Sequence, residues 1–117
     1  MARIDSFKDL IVWQKSMDLA VGVYSICKEL PKEELFGIAS QLKRSAISIP
    51  SNISEGHKRG TKDFIRFLKI AYGSSAELET QLLLLEKIYP NIKIKRQLIL
   101  VVEVEKLLST IINKLDK

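Results

Sequence analysis

The sequence predicts an all-α fold: one domain over residues 1–117, built as an antiparallel up-down-up-down four-helix bundle with a proline-kinked second helix. Three observations predict it. Apolar residues recur at three- and four-residue spacing through four long segments. Glycine and proline number only five and three, and nearly all of them fall between those segments. A hydrophobic content of 46% suits long, packed helices rather than disorder.

The first helix is expected from about Lys8 to Lys28, with Ser6 as its cap and Asp9 three residues later. Leu10, Trp13, Met17, Ala20, Tyr24 and Cys27 share one face, read as the core face. Val12, Leu19, Val23 and Ile26 form a second stripe, so the helix is apolar over more of its circumference than one core requires. Leu30-Pro31 ends it, because a residue before proline is pushed out of the α region.

The second helix is expected to start at Lys32 to Glu34, with acidic residues suiting the positive end of the helix dipole. Leu35, Ile38, Leu42, Ala46, Ile49 and Ile53 make its apolar face, whose phase holds on both sides of Pro50. That continuity predicts a kink, with Ser48, Ser51 and Asn52 serving the backbone that proline disturbs. From Glu55-Gly56 the helix ends, leaving His57, Lys58, Arg59 and Gly60 as a polar turn.

Thr61 caps the third helix, which runs from Lys62 to about Lys87, a length of roughly 39 Å at helical rise. Phe64, Phe67, Leu68, Ala71, Leu78, Leu82 and Leu85 carry its core face. Folding helices 2 and 3 back on each other sets Ser45 and Ser48 against the small residues 73–76 and Arg44 near Glu77. The same folding-back of helix 1 on helix 2 brings Trp13 and Gln14 opposite Pro50. The fourth helix is expected from Lys93 to Leu115, with Leu98, Val101, Val104 or Glu105, Leu108, Ile111 and Leu115 as its stripe.

Three blocks carry a resemblance: FKDLIVWQ at 7–14, QLKRSAISIPSNISEG at 41–56 and FLKIAYGSSAELE at 67–79. In order and spacing they resemble the four-helix-bundle proteins encoded in intervening sequences of 23S ribosomal RNA genes, often labelled ribosomal proteins. The resemblance spans most of the chain, although the C-terminal helix matches in character only. It implies an up-down bundle that assembles as a barrel-like homopentamer. A related branch resembles accessory proteins of diversity-generating retroelements, whose basic pentamers bind nucleic acid and a reverse transcriptase. Ser54 stands where that pattern has alanine, and His57-Lys58 where it has an aromatic-small pair.

The formal net charge of +5 favours acidic partners, nucleic acid above all. The candidate contact residues are Lys58, Arg59, Lys62, Arg66 and Lys69, of which Lys62, Arg66 and Lys69 share a helix face. Arg3, Lys8, Lys114 and Lys117 are expected at the same bundle end. Cations so spaced suit phosphates and give affinity without sequence selectivity. The alternative is a solvated face partly neutralised by Glu55 and Asp63. Lys93, Lys95 and Arg96 form a poorer candidate at the other end.

No catalytic constellation is visible, so a non-enzymatic protein with no cofactor and no metal is expected. His57 is the only histidine, read as an exposed turn residue, and no serine or threonine has a base partner. Cys27 is the only cysteine, which excludes an internal disulfide and suits a buried small hydrophobe in a reducing, cytoplasmic setting. No apolar run approaches the ~20 residues of a membrane span, so no membrane association is expected. Leu100, Val102, Leu107 and Ile112 widen the stripe of helix 4, and this surplus, with that of helix 1, points to a homo-oligomer; only the resemblance points to five copies. RNA or DNA is the leading partner, and a protein partner recruited to the ring is the second reading.

Overall fold

The structure, a computed structural model, describes residues 6–116. Four helices account for most of it: α1 Ile11–Cys27, α2 Ile38–Arg59, α3 Thr61–Ile88 and α4 Lys95–Leu115. They form an elongated bundle of 47 × 22 × 22 Å. Each helix packs on its neighbours around a square, and α2 with α3 is the closest-packed pair. Contacts pair rising numbers on one helix with falling numbers on the next: Lys15 with Glu103 and Gly22 with Gln97 between α1 and α4, Ser45 with Gln81 and Ser48 with Ser74 between α2 and α3.

The core fills the centre of the square. Leu19 and Val23 from α1, Leu42, Ile49 and Ile53 from α2, Leu68, Leu78, Leu82 and Leu85 from α3, and Val101, Val104 and Leu108 from α4 are wholly buried. Burying each such side chain is worth about 1.5–3 kcal/mol, so this stripe match fixes how the helices are rotated about their axes. In α4 it is Val104, not Glu105, that takes the core position.

Several local expectations are corrected. Ser6 does cap a helix start, accepting from the Lys8 amide at 3.1 Å, but the element it caps is a single 3₁₀ turn, Phe7–Asp9, and α1 begins only at Ile11. The core stripe of α1 is Val12, Leu19, Val23 and Ile26, with Ser16 and Cys27. Met17 and Tyr24, placed on the core face by spacing, are each 40% exposed. After Pro31 another isolated 3₁₀ turn, Lys32–Glu34, precedes Gly37, and α2 starts at Ile38. Leu35 is therefore exposed instead of lining the core. α4 begins at Lys95, leaving Lys93 outside it.

α2 runs through Pro50 without interruption. Proline there removes one backbone donor from the helical ladder. Asn52 reinforces the neighbouring turn, its side-chain amide donating to the Ser48 carbonyl at 2.7 Å and to Ser48 Oγ at 3.0 Å. Ser48 Oγ is also 2.8 Å from Ser74 Oγ on α3. Ser45 instead donates to Gln81 Oε1 at 2.7 Å. That register brings Gln81, not Glu77, to the level of Arg44, and no Arg44–Glu77 ion pair forms.

Candidate nucleic-acid interface

α2 does not end at Gly56. It continues to Arg59, so His57, Lys58 and Arg59 occupy its last helical turn, and a single residue, Gly60, joins α2 to α3. Gly60 has φ 107° and ψ 173°, a conformation in effect reserved for glycine, and its carbonyl accepts from the Phe64 amide at 2.8 Å. Thr61 is already helical and makes no capping bond.

Gly56 is buried against α3, where a β-carbon would meet Phe67 Cβ at 2.5 Å and Phe64 Cα at 3.3 Å. A glycine inside a helix signals such close approach, and that signal was available in the sequence. The contact brings the aromatic residues of α3 under the basic end of α2. His57, half-buried, sets its ring edge-to-face with Phe64, centroids 5.5 Å apart. It is a packing residue and not an exposed turn residue.

Of the five candidate cations, three have carboxylate partners. Arg59 donates from Nε at 3.2 Å and from Nη2 at 2.8 Å to Glu55 Oε2, and lies 3.9 Å from Asp63. Arg66 is also 3.9 Å from Asp63, and Lys69 donates to Asp116 Oδ2 at 3.0 Å. Both guanidinium groups lie over the Phe67 ring, at 5.1 Å for Arg59 and 4.6 Å for Arg66. Lys58 and Lys62 are exposed and have no ion-pair partner among the described residues.

The neutralised face and the contact face are thus both present, divided between residue types. The arginines are oriented over an aromatic ring and held by exposed carboxylates, pairings worth about 0–1 kcal/mol that a phosphate can displace. The two lysines carry charge that no carboxylate among the described residues pairs with. The Lys69–Asp116 contact brings the end of α4, with Lys114 in its last turn, to the same end of the bundle. Arg3 and Lys117 lie outside the described residues. Lys93, Lys95 and Arg96 are exposed where α4 begins.

No group of three or more His, Cys, Asp or Glu residues that could hold a metal ion occurs among the described residues. Cys27 is buried, 3.7 Å from the Ala39 carbonyl, and burial pushes its thiol pKa up. No helix among the described residues is long and apolar enough to cross a membrane.

Residues 8–113 match the family described as 23S rRNA-intervening sequence protein. The chain belongs to that family. A similar solved structure, from Bacteroides thetaiotaomicron, is described as a protein of unknown function from the S23 ribosomal protein family. It is 30% identical, superposes with a TM-score of 0.76, and the match covers 87% of this chain and 98% of that one. No curated protein matches this chain. For a 23S rRNA-intervening sequence protein, the four-helix bundle is the fold expected from the resemblance.

Proposed function

We propose that this chain is a non-enzymatic, homo-oligomeric bundle, a pentamer by resemblance, that binds nucleic acid, RNA first, through the basic Gly60 end. The observation that carries the reading is that Lys58 and Lys62, without a carboxylate partner among the described residues, flank the Gly60 junction, next to two guanidinium groups over the Phe67 ring. Lysine ammonium groups reach phosphates, and guanidinium planes reach phosphates or unstacked bases, a combination suited to single strands and loops. Copies around a ring multiply each weak contact. A cytoplasmic setting accords with a free, buried Cys27.

Fluorescence anisotropy against a structured RNA and a matched DNA tests it. Binding is expected to weaken steeply with salt and to be abolished by joint replacement of Lys58, Arg59, Lys62 and Arg66 with alanine, the oligomer remaining intact. Undiminished binding by that variant sinks the assignment.

A second reading, a scaffold that recruits another protein, is favoured by Phe36, which is 91% exposed next to exposed Leu35 in the α1–α2 connection, away from the basic end. Co-purification from nuclease-treated lysate separates the two readings: a retained protein that Phe36→Ala releases supports the scaffold.

A further inference from the structure

By charge alone, Asp63 weakens the surface that Lys58, Arg59, Lys62 and Arg66 offer to a polyanion. It stands in the first turn of α3, where a carboxylate suits the positive end of the helix, and its two oxygens serve different partners. Oδ2 lies 3.9 Å from a guanidinium nitrogen of Arg59 on α2, and Oδ1 lies 3.9 Å from one of Arg66 on α3. One carboxylate therefore bridges the two helices across the Gly60 junction.

The two guanidinium groups it bridges share a single ring. Arg59 is 5.1 Å and Arg66 4.6 Å from the Phe67 centroid. Two cations so placed are no further apart than roughly 10 Å, about one screening length at ordinary salt, so they repel each other unless an anion stands between them. Phe67 is itself 7% exposed and packed against Gly56, which makes the ring a fixed platform. Glu55 holds the remaining edge of Arg59 through Nε and Nη2. Arg66 has no carboxylate partner except Asp63 among the described residues.

We infer that Asp63 is a positioning residue that keeps both guanidinium groups over Phe67 at once, and that this arrangement makes the Gly60 end selective for unpaired RNA bases over duplex. This rests on the nucleic-acid reading and deepens it. Ammonium groups such as those of Lys58 and Lys62 meet phosphates on either form of RNA. Guanidinium planes stack on unpaired bases, and a group already held over a ring loses less freedom in doing so. An arginine released from Asp63 turns its N–H fork to phosphates instead, which strand and duplex both display. Affinity and selectivity are thus assigned to different residues.

Asp63→Asn keeps the shape of the side chain and removes its charge. Charge count alone predicts that this variant binds every RNA more tightly; positioning predicts a loss confined to unpaired RNA. Fluorescence anisotropy of the full chain, with an unstructured RNA strand and with the duplex that strand forms with its complement, reads the ratio of the two affinities at one salt concentration. The wild-type chain is expected to prefer the strand. In Asp63→Asn that preference falls about tenfold, the worth of one base stack, and Asp63→Glu, which keeps the carboxylate, restores most of it. A merely structural role would weaken both probes alike and leave the ratio unchanged. A wild-type chain that binds neither probe overturns the nucleic-acid reading itself. A wild-type chain without a preference for the strand, or an Asp63→Asn ratio equal to that of wild type, overturns the role of Asp63 and leaves that reading standing.

Discussion

Gly56 on α2 and Phe67 on α3 touch so closely that a β-carbon on the glycine would lie 2.5 Å from Cβ of the phenylalanine. Alanine in a helix interior is ordinarily better than glycine by roughly 0.5–1 kcal/mol. Here the added methyl meets α3 itself, and overpacking costs about 1–3 kcal/mol. Gly56→Ala is expected to lower stability in urea unfolding; a stabilised variant would show that the two helices separate freely.

Ser48 and Ser74 tie the same two helices together, their hydroxyl oxygens 2.8 Å apart and half-buried. Alanine at either position leaves the other hydroxyl short of a partner, although Ser48 keeps its contact with Asn52. A double-mutant cycle is expected to return a coupling of about 1 kcal/mol. Additive losses would mean that water replaces the missing hydroxyl without cost.

Tyr89 donates to Glu34 Oε2 at 2.6 Å, joining the α3–α4 connection to the 3₁₀ turn after Pro31. That hydrogen bond, with burial and the charges of Glu34 and Glu33, raises the phenol pKa to about 12. The folded value lies above the unfolded one, so the stabilisation is present below pH 10 and is lost as the pH climbs through 12. In an ultraviolet titration one of the three tyrosines is expected to ionise late, and Tyr89→Phe to remove that phase while leaving the rest.

Lys58 and Lys62, having no carboxylate partners among the described residues, are expected to dominate the salt dependence of RNA binding. Replacing either with alanine should reduce the slope of log affinity against log salt by about 1. Lys69→Ala should change it less, since a phosphate must first displace Asp116. Equal effects at all three would mean that the exposed ion pairs do not hold in solution.

Helix number and core were legible because the stripes through Leu42, Ile49 and Ile53, and through Leu68, Leu78 and Leu82, admit one phase only. Helix α1 was ambiguous because Val12 and Met17 belong to two apolar stripes of similar strength, and only the neighbouring helices decide which turns inward. The start of α2 was misplaced because acidic residues after Pro31 suit a helix N-terminus, yet the chain makes a single 3₁₀ turn there before Gly37. At the candidate site the cations were legible as a cluster. Their pairing was not, because whether Arg59 meets Glu55 or solvent depends on α2 continuing for one more turn.

Gly60 joins helices of 22 and 28 residues with no other connecting residue. Closing that hairpin costs little loop entropy, and its contacts are made between segments already close in sequence. Helices α2 and α3 are therefore expected to associate first on the folding pathway, with α1 and α4 docking afterwards through the longer connections. A side chain at Gly60 would strain the left-handed backbone and should slow refolding more than it speeds unfolding, which makes this residue the one that sets the order of assembly.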